Sequence, residues 1–457
     1  MNEHLTIRGG RPLSGSVTVS GAKNAATKMI IASLLTDEPV ILDNCPDIAD
    51  VEITAELCRN LGAVITRQGG TLHLHTPEIK NRTVKRQTRS NRLPILALSP
   101  LLHRAGEAEV PMVGGDAIGP RPVDFHIAAL RQMGATITET ADGYSAHAET
   151  LVGASLILPY PSVGATENII FAAVLAKGRT RIAGAATEPE ITDLVKLLQK
   201  MGAIIEFGAD RSMTIDGVDR LHGARHSVMP DRLEAASFAL LALATNGEIT
   251  VNGARQDELM TFLNTVRRIG ADYEVTCDGI TFRRGHQPLK GIGLETDTYP
   301  GFSTDWQQPL VVLLTQANGL SVVHETVYED RFGYTETLRQ MGGEIGVFNK
   351  CLGEVTCRFR NNSQRHSAVI NGATPLHGVT IEIPDIRAGM AHVIAALVAE
   401  GNSQLTGVEH LERGYEGFWD KLRAVGANFD LLKSAGSVAQ PGRNPAPTNL
   451  RPRASKV

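Results

Sequence analysis

Two apolar patterns alternate along the chain. Runs such as NIIFAAVLAKG (168–178) and EAASFALLALATNG (234–247) are nearly continuous in Ala, Leu and Ile over helical length. They read as helices buried on every side, because a surface helix would carry a polar face. Short β-branched runs, RTRIAG (179–184), EITVNG (248–253) and SVTVSG (16–21), read as strands. A Gly ends each helical run, as a left-handed C-cap requires.

The pattern repeats. An apolar residue followed by Gly-(Ala/Gly), one free position and another apolar residue recurs at Gly62, Gly134, Gly202, Gly270, Gly342 and Gly426, with spacings of 72, 68, 68, 72 and 84 residues. A second marker keeps step with it at Gly106, Gly178, Gly247, Gly319 and Gly401, and TDEPVIL (36–42) takes its place in the first copy. Two markers in phase over six copies argue for one ancestral unit: helix, Gly turn, strand, loop, second helix, Gly-Ala turn, strand. The predicted class is α/β, built from six repeated units.

With 457 residues the chain exceeds what one hydrophobic core organises, so two domains are expected. A composition of 42% hydrophobic and 21% charged residues is that of a globular protein. MNEHLTIRGG has no secretory pattern and no run approaches a membrane span, so a cytoplasmic protein without membrane contact is expected. The five cysteines are scattered without a C-x-x-C pair, so neither a disulfide frame nor a zinc site is expected, and no metal or cofactor. Overall charge is −4, yet the segment from Ser434 onward carries four Lys/Arg and no acid, leaving a still more acidic body. That body disfavours nucleic acid as a partner. The segment 433–457, rich in Pro, Ala and Asn, reads as a disordered basic tail.

Charge falls at the predicted helix starts. First helices open with Lys23 and Asn24, Arg92, Thr166 and Glu167, Asp231 and Arg232, Thr304 and Asp305, and Asp385 and Arg387; second helices open with Arg121 and Asp124, Arg331, and Arg413. Ser, Thr and Asp at such places are ordinarily caps. The cations are not, because the dipole there disfavours them. Lys23, Arg92, Arg121, Arg331 and Arg413 at equivalent points of repeated units suggest a cage for an anion.

The stretches SGAKNAA, GGDAIGPRPVDFH, PSVGATEN, PDRLEAASF, STDWQQP, ETVYEDRF and ERGYEGFWDKLRAVGA, in order over residues 3–432, resemble the UDP-N-acetylglucosamine enolpyruvyl transferase family. The resemblance implies a two-domain inside-out α/β barrel of three units each. Residues 1–20 would join the second domain, with 21–230 as the first, 231–432 as the second, and a mobile loop at 112–122. It also implies phosphoenolpyruvate and UDP-N-acetylglucosamine as the small-molecule substrates. Asp305 would act as base at the sugar 3′-hydroxyl, and Lys23, Arg92, Arg121 and Arg413 would hold phosphoenolpyruvate. Asn24, Arg92, Pro122, Val123, Asp124, Phe125, Ser162, Val163, Gly164, Asp305, Val327 and Arg331 would contact the sugar nucleotide. Asp231, Asp385 and Arg387 would support the cleft.

Several residues depart from the family pattern. Asp116 stands where most members carry a Cys that protonates phosphoenolpyruvate. A carboxylic acid with a raised pKa can donate that proton, but a carboxylate opens an epoxide poorly, so resistance to fosfomycin is expected. Pro94 follows Arg92, Tyr160 replaces a common Lys, Thr187 an Arg and Glu412 an Asp. These leave two rival readings: transfer to a uridine nucleotide, and a non-catalytic sugar-nucleotide sensor.

Overall fold

The computed structural model describes residues 4–86, 91–114, 122–354, 357, 359–360 and 363–432. Asp116, Arg121 and the basic tail therefore lie outside the described residues.

Among the described residues six small sheets account for the strands, one per unit: five of four strands and one of three. The third unit shows the plan. Strand Ser155–Ile157 leads through helix Val163–Ala173 to strand Arg179–Ala183, which pairs with it in parallel. Helix Pro189–Lys200 then leads to a hairpin, Ile204–Phe207 and Met213–Asp216, whose second strand pairs antiparallel with Arg179–Ala183. The plan is thus β-α-β-α-β-β, with the second unit's opening strand reduced to a single bridge between Thr83 and Glu109, and the repeat read from the sequence lacked the opening and closing strands. Those strands are only three to six residues long, too short for a periodicity of their own.

The first helix of a unit is mostly buried: every residue of Arg232–Ala244 and nine of the eleven in Val163–Ala173. The second helix shows the core one face only, as in Met260–Ile269, where five residues are buried. The Gly-Ala turns carry positive φ, from 86° at Gly426 to 122° at Gly62, which an L side chain rarely adopts. The second marker's glycines do the same at Gly106, Gly178, Gly319 and Gly401, but not at Gly247. There Asn246 takes the left-handed conformation, and a Cβ on Gly247 would lie 1.9 Å from the Leu13 carbonyl oxygen.

Buried apolar residues form two clusters, one spanning 22–229 and the other 5–19 with 233–425. The chain crosses between them twice, at 19–22 and 228–231. The crossings bond to each other, Ala22 N–H to Met229 O at 2.7 Å and Asp231 N–H to Ser20 O at 2.8 Å. Strands are exchanged with the crossings. Ser14–Thr18 opens the fourth unit's sheet, and Arg225–Ser227 opens the first. His4–Arg8 lies inside the sixth unit's sheet, between Asn402–Thr406 and Asn428–Leu432.

Among the described residues no helix is long and apolar enough to cross a membrane. Cys351 and Cys357 meet His324 and His366, because a long connection folds back on the strand that ends at His324.

Candidate active site

A cleft of about 380 Å³ lies between the two clusters. Asn24, Arg92, Pro122, Asp124, Phe125, Ser162, Val163 and Gly164 line it from the first, and Asp305 and Val327 from the second. Helix starts point at it because the first helices run through the cores and begin at the cleft: Lys23–Ala32, Val163–Ala173, and Gln307–Leu314 behind the 3₁₀ turn Thr304–Trp306. Ser162 caps its helix by accepting the Ala165 N–H at 3.4 Å. Val123 does not line the cleft; its side chain is buried in the core, just before helix Asp124–Gln132.

Two cationic groups are arranged differently from the sequence expectation. Arg413 does not open a helix. It follows the short helix Glu409–Glu412 and precedes Phe418–Ala424, because Gly414 and the positive-φ Gly417 separate the two. Arg331 likewise stands before helix Thr335–Gln340. Arg92 precedes a 3₁₀ turn, Leu93–Ala97, with Pro94 at its start, and donates to the Pro122 carbonyl at 3.2 Å.

Lys23 and Arg413 share one carboxylate. Lys23 Nζ lies 2.7 Å from Asp50 Oδ2, and Arg413 Nε 3.1 Å from Asp50 Oδ1, across the cleft. Burial raises the Asp50 pKa, but the two cations outweigh it and hold the carboxyl below its usual range. Lys23 is fixed at its backbone too, donating to Asp231 Oδ2 at 3.3 Å. Asp231's other oxygen caps helix Arg232–Ala244 through Leu233 and Glu234.

Asp305 has its own pair of cations. Arg331 NH2 is 2.5 Å from Oδ1, and Arg387 Nε 3.3 Å from Oδ2. Burial opposes ionisation, yet Arg387 and Arg331, with Lys23 behind them, hold the carboxyl far below the carboxylate range. Arg387 also donates to Tyr415 OH at 3.1 Å, and Asp385 caps that helix through the N–H groups of Arg387 and Ala388. Arg331 donates to Thr304 Oγ1, which donates on to Glu325 Oε2 at 2.9 Å. The other oxygen of Glu325 accepts the N–H groups of Val327 and Tyr328, so one buried carboxylate shapes the loop that carries both Val327 and Arg331.

Sequence reasoning passed over Asp50, Glu325 and His126. Asp50 sits in a first helical turn like any dipole-favoured acid. Glu325 opens the stretch ETVYEDRF, in which only Val327 and Arg331 were assigned roles. His126 packs under Gly164, and burial, then the charge of Arg92, pushes its pKa down to about 3, so the ring stays neutral. Glu190 and Arg232 form a bidentate pair across the cleft at 3.0 and 3.2 Å, with both residues buried. Tyr160 lines the cleft.

Lys23, Arg413, Arg331 and Arg387, gathered where two three-unit bodies meet, fit recognition of a small polyanion. The sequence profile of the EPSP synthase (3-phosphoshikimate 1-carboxyvinyltransferase) family matches residues 7–422. The chain is 48% identical over 449 residues to the UDP-N-acetylglucosamine 1-carboxyvinyltransferase of Protochlamydia amoebophila, covering 96% of this chain and 97% of that one. It is 49% identical over 433 residues to the protein of that name from Chlamydia abortus, with 93% and 97% covered. Among solved structures, the enolpyruvyl transferase NikO from Streptomyces tendae superposes with a TM-score of 0.82 at 24% identity, covering 95% of this chain and 99% of that one. EPSP synthase from Acinetobacter baumannii gives 0.67 at 18%, covering 94% and 100%. At these identities the two structures bear on the fold alone, and they share it.

Proposed function

Taking as premise that the chain belongs to the EPSP synthase family of enolpyruvyl transferases, we propose that it transfers the enolpyruvyl group of phosphoenolpyruvate to the 3′-hydroxyl of UDP-N-acetylglucosamine, releasing phosphate. The relatives at 48–49% identity over nearly their whole length support this acceptor. The observation that carries the chemistry is the pair of shared carboxylates: Asp50 gathers Lys23 and Arg413, while Asp305 gathers Arg331 and Arg387.

The reaction adds the sugar oxygen to C2 of phosphoenolpyruvate and a proton to C3, giving a tetrahedral intermediate. That intermediate then loses a C3 proton and phosphate. Lys23, Arg92, Arg121 and Arg413 neutralise the phosphate and carboxylate in place of a metal. Asn24, Pro122, Asp124, Phe125, Ser162, Val163, Gly164, Val327 and Arg331 hold the sugar nucleotide.

Asp305 is ionised at every working pH and so always able to accept. Its two arginines make it a weak base, so the 3′-hydroxyl proton moves late, once bonding to C2 has made that oxygen acidic. Asp231, Asp385 and Arg387 support these groups, and residues 21–230 and 231–432 close on each other about the paired crossings.

Asp116 supplies the proton to C3, and the absence of a thiol there confers resistance to fosfomycin. Tyr160 in the cleft wall keeps a uridine nucleotide as the second acceptor to test. The test is phosphate release from phosphoenolpyruvate with each acceptor, in the presence and absence of fosfomycin. Turnover with UDP-N-acetylglucosamine that persists in the drug is expected. No turnover with either acceptor would leave the sensor reading.

A further inference from the structure

Away from the cleft, the fifth unit gathers two histidines and two cysteines. His324 ends strand Gly319–His324, while Cys351, Cys357 and His366 lie on the connection 349–366 between strands Glu344–Phe348 and Ser367–Gly372. One ligating atom from each of the four lies within 4.8 Å of the others. His366 Nε2 is 3.4 Å from Cys351 Sγ, and its Nδ1 is engaged by the Gln364 carbonyl at 2.9 Å. His324 Nδ1 is engaged by Ser367 Oγ at 2.8 Å. Its Nε2 is fully buried without a hydrogen-bond partner. Phe359 N–H donates to Cys357 Sγ at 3.2 Å. Both histidines are fully buried and Cys357 nearly so.

We infer that His324, Cys351, Cys357 and His366 form a structural zinc site. Two sulfurs and two imidazole nitrogens are the donor set that zinc takes tetrahedrally. The Nδ1 contacts fix both rings with Nε2 available to a metal, as partners beyond the ligands do in metal sites. Binding releases the two thiol protons, so two thiolates and a divalent cation make a neutral unit suited to burial. A Cys351–Cys357 disulfide would satisfy the sulfurs but leave His324 Nε2 orphaned. The connection is also far longer than a hairpin ordinarily tolerates without a staple.

The site bears on the cleft through one residue. The His366 carbonyl accepts the Glu325 N–H at 2.8 Å, and Glu325 holds Val327 and Tyr328. The metal thus anchors the base of that loop without touching substrate.

The test is metal content of the full untagged chain, purified under reducing conditions without added metal. About one zinc per chain is expected, retained in Cys277→Ser, whose thiol is exposed, and lost in Cys351→Ser. Exchange of the wild-type metal for cobalt should give the intense visible bands and thiolate charge transfer of a tetrahedral site, a readout that needs no variant to fold. Ser367→Ala, which removes the partner of His324, should weaken cobalt binding about 10-fold or more. A chain without zinc that gives no tetrahedral cobalt spectrum overturns the inference, as does a Cys351–Cys357 disulfide found by mass. None of these readouts depends on the acceptor proposed above.

Discussion

Replacing Asp50 by Asn keeps the shape of the side chain and removes its charge, leaving Lys23 and Arg413 facing each other across the cleft. Breaking a buried ion pair by removing one partner costs about 3–5 kcal/mol. All three side chains retain 12–17% exposure, so the lower end, about 3 kcal/mol, applies. With phosphoenolpyruvate bound, the substrate's own anionic groups take over as partner for the two cations, and the ground state recovers most of that loss. The transition state does not, because only Asp50 sets the two cations in register from opposite walls. The expected result is a KM for phosphoenolpyruvate that is unchanged or lower and a kcat reduced about 100-fold, as about 3 kcal/mol implies. The assay is phosphate release at saturating UDP-N-acetylglucosamine with phosphoenolpyruvate varied. A kcat within a few-fold of wild type, or a loss entirely in KM, would refute the reasoning.

Three further outcomes are expected. Arg387→Met removes the cation that does most to depress Asp305, so the Asp305 pKa rises and kcat/KM falls at acid pH, where the wild-type Asp305 is still ionised; a profile unchanged at acid pH would count against Asp305 as the base. Glu167 is buried, and desolvation, opposed by Lys28, pushes its pKa up to about 7. Between its unfolded value near 4.5 and that pKa the unfolded chain holds fewer protons, so stability falls as pH rises; Glu167→Gln should therefore raise Tm more at pH 8 than at pH 5, and equal gains would count against this. Asp116→Cys should create a covalent fosfomycin adduct, seen as a mass increase that the wild type lacks.

The six units were legible because their signal is backbone chemistry: positive φ at Gly62, Gly134, Gly202, Gly270, Gly342 and Gly426 restricts those positions to very few residues. Lys23 and Arg92 stood out for a similar reason, since they stand at helix starts that do not favour a cation. What escaped is whatever depends on distant partners. Asp50 and its partner Arg413 are 363 residues apart, and Asp50 alone does not differ from a solvated surface charge. His324 has no local pattern tying it to Cys351 and Cys357. The exchange of strands between the two bodies also leaves no periodic trace, because a strand reads the same whichever sheet receives it.

That exchange sets an order of assembly. His4–Arg8 is among the first segments to leave the ribosome, yet its neighbours Asn402–Thr406 and Asn428–Leu432 are among the last. At about 5–20 residues per second the strand waits roughly 20–80 s for them. The cluster spanning 22–229 can meanwhile condense, since every strand of its three sheets is already made. The opening segment is therefore a tether that the second body must reclaim at the end of synthesis. A separately expressed 231–432 lacks an inner strand of one sheet and an edge strand of another, and a peptide carrying residues 4–18 would be its natural complement.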